Sequence, residues 1–132
     1  IIKTKNYGIQ TGTFIMVGYP KETEEDIEQT VRYLKQSNPD QFTITVAYPI
    51  KGTGLYNQVE NIITTRLDWE TSTDRDIDFE RTYSRKYYDY AVRYIVNEVS
   101  SHKEELKGNR SWNQWKLKLK STAASVLMKW AK

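Results

Sequence analysis

Apolar positions along this chain change their spacing several times, and each change marks an element. Thr13 to Val17 (Thr-Phe-Ile-Met-Val) is a continuous apolar run, as expected of an inner strand covered on both faces. From about Glu24 to Gln36, Ile27, Val31 and Leu34 recur at steps of four and three and predict a helix with one apolar stripe. Phe42 to Tyr48 then alternates. Phe42, Ile44, Val46 and Tyr48 share one face, and Thr43, Thr45 and Ala47 share the other, which is strand periodicity. Two strands separated by roughly 25 residues with a helix between them can pair in parallel, so the stretch reads as a βαβ unit and the chain as α/β.

The flanks and ends of these elements carry recognisable signals. Residues 1 to 11, with Gly8 after Tyr7, read as the end of a helix and its exit loop. Thr23 and Asp26 match a capping box, and Glu22, Glu24, Glu25 and Asp26 place negative charge where a helix dipole favours it. Asn38-Pro39-Asp40 stops that helix, because proline disfavours helical backbone in the residue before it. After the turn Pro49 to Gly54, Leu55 to Ile63 predicts a short helix, and 64–78, rich in Thr, Ser and Asp, predicts an irregular loop.

Two longer helical patterns close the chain. Phe79, Tyr83, Tyr87, Tyr90, Ala91, Tyr94 and Ile95 line one side of a helix over about Phe79 to Ser100, which we read as a core stripe rather than a cofactor box. Lys107 to Ser111 breaks the pattern, with Gly108 as the helix end and Ser111 as the next N-cap. The last helix, about Trp112 to Trp130, carries Trp112, Trp115, Leu119, Ala123, Val126 and Trp130 along one line. Packing on its own protein, or on a missing part of it, is the expected role of that line; dimerisation, a membrane surface and a phosphate backbone remain alternatives.

Composition narrows the function classes. At 132 residues the chain has the size of one ordinary domain. Hydrophobic residues make up only 38%, offset by 10 Tyr and 4 Trp, so aromatic packing between helices is expected. There is no Cys, which removes disulfides, thiolate metal sites and cysteine nucleophiles within these residues. The single His102 sits among Ser100, Ser101, Lys103 and Glu104 and reads as a surface residue. No apolar run is long enough to span a membrane and no secretory leader is visible, so a cytoplasmic location is the default. Net charge is +3, but residues 101–132 hold eight basic against two acidic residues, a net of +6, and the remainder is at −3. The chain opens Ile1-Ile2-Lys3 without an initiating Met, and we expect a piece of a longer polypeptide.

Ligands of parallel sheets gather at the carboxyl ends of strands, which puts the turns Gly18 to Thr23 and Tyr48 to Gly54 on one rim. The Gly18 turn does not read as a phosphate loop, because the acidic helix start after it opposes an anion, and the sequence has no Walker lysine motif, G-x-G-x-x-G or serine elbow.

Taken together, Gly18-Tyr19-Pro20-Lys21-Glu22-Thr23 after one strand and Tyr48-Pro49-Ile50-Lys51-Gly52-Thr53-Gly54-Leu55-Tyr56 after the next resemble the last third of the radical S-adenosylmethionine (SAM) barrel. Its cobalamin-binding and methylthiotransferase-like branches carry Gly-Phe-Pro-Gly-Glu-Thr and Pro-x-Pro-Gly-Thr turns after the fifth and sixth strands. Lys21 and Lys51 stand where those turns usually have Gly and Pro. The Cys-x-x-x-Cys-x-x-Cys run that holds the family's four-iron cluster lies well upstream of the matched region and is absent here.

The resemblance implies a parent enzyme that cleaves SAM reductively to a 5′-deoxyadenosyl radical, using a 4Fe-4S cluster and in some branches cobalamin. It implies a barrel segment over residues 1–56 and a helical region over 57–132 on the substrate side, similar to magnesium-protoporphyrin IX monomethyl ester oxidative cyclases. Carried over position by position, the adenosine-binding residues are Met16, Val17, Gly18, Glu22, Val46, Ala47, Tyr48 and Pro49. A piece of this kind is expected to be inactive alone. Its expected partners are the missing N-terminal part of its own protein and an unidentified small substrate, with self-association through the bare strand edge as a further possibility. The rival expectation is a non-enzymatic α/β module whose basic, Trp-bearing last helix, with Lys116, Lys118 and Lys120, binds nucleic acid or protein.

Overall fold

A computed structural model describes residues 1–65, 73–108 and 112–132. In chain order the elements are α1 (Ile2–Asn6), β1 (Gly12–Val17), α2 (Glu24–Ser37), β2 (Gln41–Val46), α3 (Gly54–Val59), α4 (Arg85–Leu106) and α5 (Trp112–Trp130). Single turns of 3-10 helix cover Glu60–Ile62 and Asp74–Asp76. The architecture is mixed α/β: a βαβ unit whose two strands pair in parallel, followed by helices. The register runs from Gly12 opposite Gln41 to Val17 opposite Val46.

Local signals account for the βαβ unit. Thr23 Oγ1 accepts the Asp26 N–H at 3.4 Å and the Asp26 carboxylate accepts the Thr23 N–H at 2.8 Å, so the capping box forms in full. Ile27, Val31 and Leu34 are all buried, as their spacing requires. The stop signal is read one residue before the proline: Asn38 takes a left-handed conformation (φ 42°, ψ 58°) as the C-cap, a geometry that Asn tolerates better than most residues. At the strand entrances Asp40 accepts from both the N–H (2.7 Å) and the hydroxyl (2.9 Å) of Thr11, and pairs with Lys5 at 3.2 Å. These bonds hold the Asp40 carboxyl down at about 2.

The core lies on one side of the sheet. Val17 and Val46 pack with Ile27, Val31 and Leu34 of α2, with Tyr87, Tyr88, Ala91, Ile95 and Val99 of α4, and with Met128 of α5. A smaller cluster of Ala47, Leu55, Val59 and Phe79 covers the end of β2.

Three sequence expectations are corrected. First, β1 is covered on one face only: Thr13, Ile15 and Val17 turn toward the helices, but Phe14 is 88% exposed and Met16 47%. Both packing helices lie on the same side, and a continuous apolar run does not reveal that its second face is bare. Second, Phe79 does not begin α4. The helix starts at Arg85, where Ser84 caps it by accepting the Tyr87 N–H at 3.2 Å, and Phe79 instead forms an antiparallel bridge with Ile63. Third, α5 packs through Ser121, Ala124 and Met128, so its line of large apolar residues faces outward. Tyr48 lies just past β2, which ends at Val46. The loop expected over 64–78 falls partly on 66–72, outside the described residues, as does the expected N-cap Ser111.

Candidate functional site

Both strands end on the same rim, and the main chain there is tightly tied. The Val17 carbonyl accepts the Ala47 N–H at 2.7 Å, joining the strand exits. Gly18 follows with φ +80°, and a Cβ added there would stand 3.2 Å from Arg81 Nε and from a Val46 methyl, and 3.4 Å from the Tyr88 ring. Only glycine combines that backbone with that space. The Gly18 N–H donates to the Glu22 carboxylate at 2.6 Å, closing the turn on itself. Burial pushes the Glu22 carboxyl above its ordinary value, with the neighbouring Asp26 adding to the rise and the Gly18 N–H opposing it. Within this turn Lys21 sits at φ 66°, the left-handed region where the family turns it resembles place glycine.

Arg81 organises the rim, and sequence reading missed it. Its side chain is 2% exposed. Nε donates to the Gly18 carbonyl at 3.2 Å and Nη2 to the Ala47 carbonyl at 2.6 Å, so one guanidinium clasps both strand exits. Nη1 pairs with the Asp78 carboxylate and reaches the Phe79 carbonyl at 3.4 Å. The guanidinium carbon stands 4.0 Å from the centroid of the Phe79 ring. A buried arginine is tolerated because each of its three nitrogens donates to an oxygen and its charge is matched by Asp78. Its partners are 34 and 63 residues away in sequence, so no periodic pattern announced it.

All eight sequence-predicted site residues lie on or beside this rim, in different settings. Val17 and Val46 turn into the helix-side core, Ala47 and Pro49 are buried, and Tyr48 is half-buried with the Arg75 guanidinium 6.0 Å from its ring centroid. Gly18 and Glu22 are bonded to each other. Met16 is different, because it points out of the bare face together with Phe14, Thr43 and Thr45, which the register places side by side. Arg81, Glu22 and the strand ladder engage the Gly18 and Ala47 carbonyls, the Gly18 N–H and the Val17 carbonyl, while the side chains of Met16, Thr45 and Tyr19 are exposed beside them and Tyr48 is half-buried. Among the described residues no group of three or more His, Asp or Glu is placed to hold a metal ion, and no helix is long and apolar enough to cross a membrane.

Over 78 residues, 57% of its length, the chain is 33% identical to an uncharacterised methyltransferase of Pyrococcus horikoshii, of which the match covers 17%. Over 89 residues, 64% of its length, it is 28% identical to the tRNA-2-methylthio-N(6)-dimethylallyladenosine synthase of Thermosipho africanus, covering 20% of that protein. The chain thus spans about a fifth of the length of these relatives. No family model and no solved structure matches it. Partial similarity to a methyltransferase and to a methylthio-adenosine synthase supports a radical SAM-related piece of chain.

Proposed function

We propose that this chain supplies the closing segment of a radical SAM barrel, with residues 1–56 as its last two strands and intervening helix and 57–132 as helices on the substrate side. The carboxyl ends of β1 and β2 then form the adenosine side of the SAM site, with Met16, Val17, Gly18, Glu22, Val46, Ala47, Tyr48 and Pro49 as its residues. The observation that carries this reading is the bare face of the sheet. Parallel sheets are almost always covered on both faces, yet here Phe14 and Thr43 stand open at mid-strand and Met16 and Thr45 stand open next to the carboxyl ends, where ligands of such sheets bind.

In this reading Met16 and Tyr48 offer apolar and aromatic surface to the adenine, and Thr45 offers a hydroxyl. Arg81 is a positioning residue that fixes the two strand exits relative to one another. With no cysteine the chain has no thiolate for an iron–sulfur cluster, so its part is confined to shape, contact and orientation, and alone it is inactive. Cobalamin use and a cyclase-like reaction are finer versions of the same proposal.

The test has two arms. The reading frame upstream of Ile1 should encode a Cys-x-x-x-Cys-x-x-Cys run, and its absence overturns the proposal. In the full polypeptide, Met16→Glu should weaken SAM binding, measured by equilibrium dialysis, about tenfold or more, because it sets an unpaired carboxylate against an apolar contact. Unchanged affinity in that variant removes the rim from the SAM site.

A further inference from the structure

The outward side of α5 combines three features that no packing among the described residues uses. Trp112 is 75% exposed, Trp115 68% and Trp130 86%, and Leu119 and Val126 are exposed between them. At 3.6 residues per turn these five side chains fall on one line, opposite the Ser121, Ala124 and Met128 face that packs on α4. Lys116 and Lys120 project to one side of that line and Lys118 and Lys129 to the other, while the helix and the two residues after it contain no acidic residue. Beside the ridge, Lys103, Lys107, Lys116 and Lys120 line a groove of about 400 Å³ with Asn113 and one carboxylate, Glu104.

We infer that α5 docks flat on an anionic lipid bilayer, with Trp112, Trp115, Leu119, Val126 and Trp130 sunk into the headgroup boundary and lipid phosphates held by the flanking lysines and the groove. Charge decides the occupant. An apolar line rich in tryptophan, bordered on both sides by lysines, matches an interface whose apolar interior lies beneath a negative surface. Lysine stems can lie along the apolar line while their ammonium groups reach up to phosphate. A second copy of the chain is disfavoured, because pairing two such faces brings lysine against lysine with no carboxylate on the helix to offset them. At 19 residues, about 28 Å long, and with no window apolar enough to cross, the helix lies on the bilayer and does not span it. This inference does not depend on the proposed SAM site.

Co-sedimentation with vesicles of equal parts phosphatidylglycerol and phosphatidylcholine, against phosphatidylcholine alone, reads the outcome together with tryptophan emission. The chain should bind the anionic vesicles at least about tenfold more tightly, with emission moving to shorter wavelength and binding weakening as salt rises. Trp112→Ser/Trp115→Ser/Trp130→Ser should remove the emission shift and most of the binding. Lys118→Gln/Lys129→Gln should weaken binding by about fivefold for each lysine, and it carries the test should the tryptophan variant lose helical circular dichroism. Equal binding to neutral and anionic vesicles, or none to either, overturns the inference. So does tighter, salt-steep binding to an RNA oligonucleotide that is lost on neutralising Lys116, Lys118 and Lys120, or a lipid-free dimer in which the tryptophans are shielded from a soluble quencher.

Discussion

The two long helices, α4 and α5, carry similar sequence patterns and use them in opposite ways. In α4 the large residues of the stripe go inward: Tyr87, Ile95 and Val99 are buried, with Ala91 between them. In α5 the large residues stay outside and the small ones, Ser121 and Ala124, make the contact along with Met128. A helix buries the side that lets it approach its neighbour closely. On α5 that side is lined by small residues and fixed by the Ser121 hydroxyl, which donates to Glu98 of α4 at 2.6 Å. Glu98 also takes Lys35 of α2 at 2.6 Å, so one carboxylate joins three helices. An apolar stripe thus states what a helix can bury, and the packing partner decides whether it does.

The largest expected effect comes from truncating the inward stripe of α4. Ile95 is fully buried in the main cluster, and Ile95→Ala removes its contacts and leaves a cavity within that cluster. We expect a loss of about 2–5 kcal/mol, read from the midpoint of urea unfolding at unchanged slope. A loss below about 1 kcal/mol would mean that α4 is not the central helix.

Next in size is Ser121→Leu, which enlarges the small-residue face of α5 where it meets α4 and deletes the bond to Glu98. Overpacking of this kind costs about 1–3 kcal/mol, and here it should part the two helices. The pH dependence should change with it. Burial alone would raise the Glu98 carboxyl, but the bonds from Lys35 and Ser121 outweigh burial and set it below 4.5. A depressed folded value means that the contribution is present above 4.5 and is lost as pH falls through the folded value. Ser121→Leu removes one of the two bonds that depress it, so the fall in stability below pH 4.5 should be shallower in the variant than in the parent chain.

Much of the βαβ unit was legible, because its signals are local. The Thr23–Asp26 capping box, the Ile27, Val31 and Leu34 stripe, and the alternation from Phe42 to Val46 each depend on neighbours a few residues away. Even Lys21, noted only as a departure from a glycine in the family turn, marks a residue that sits at φ 66°. Arg81 left no such trace, since its meaning comes from two carbonyls far off in sequence that the fold carries to it. The bare face of β1 was hidden for a different reason: Phe14 and Met16 read the same whether that face is covered by this chain, by another part of a longer one, or by nothing.

The smallest effect sharpens the comparison most. Leu119 lies in the middle of the outward ridge of α5 and is exposed, so in lipid-free buffer Leu119→Ser should change stability by no more than about 0.5 kcal/mol. The same chemistry at the buried Val99 of α4 would be severe, because the serine hydroxyl would lose water without gaining a partner. Helix propensity falls slightly from leucine to serine, which sets the small residual cost. A loss above about 1 kcal/mol that grows with protein concentration would show that the ridge is already covered by a second copy, and the contrast between the two helices would then be one of partner rather than of burial.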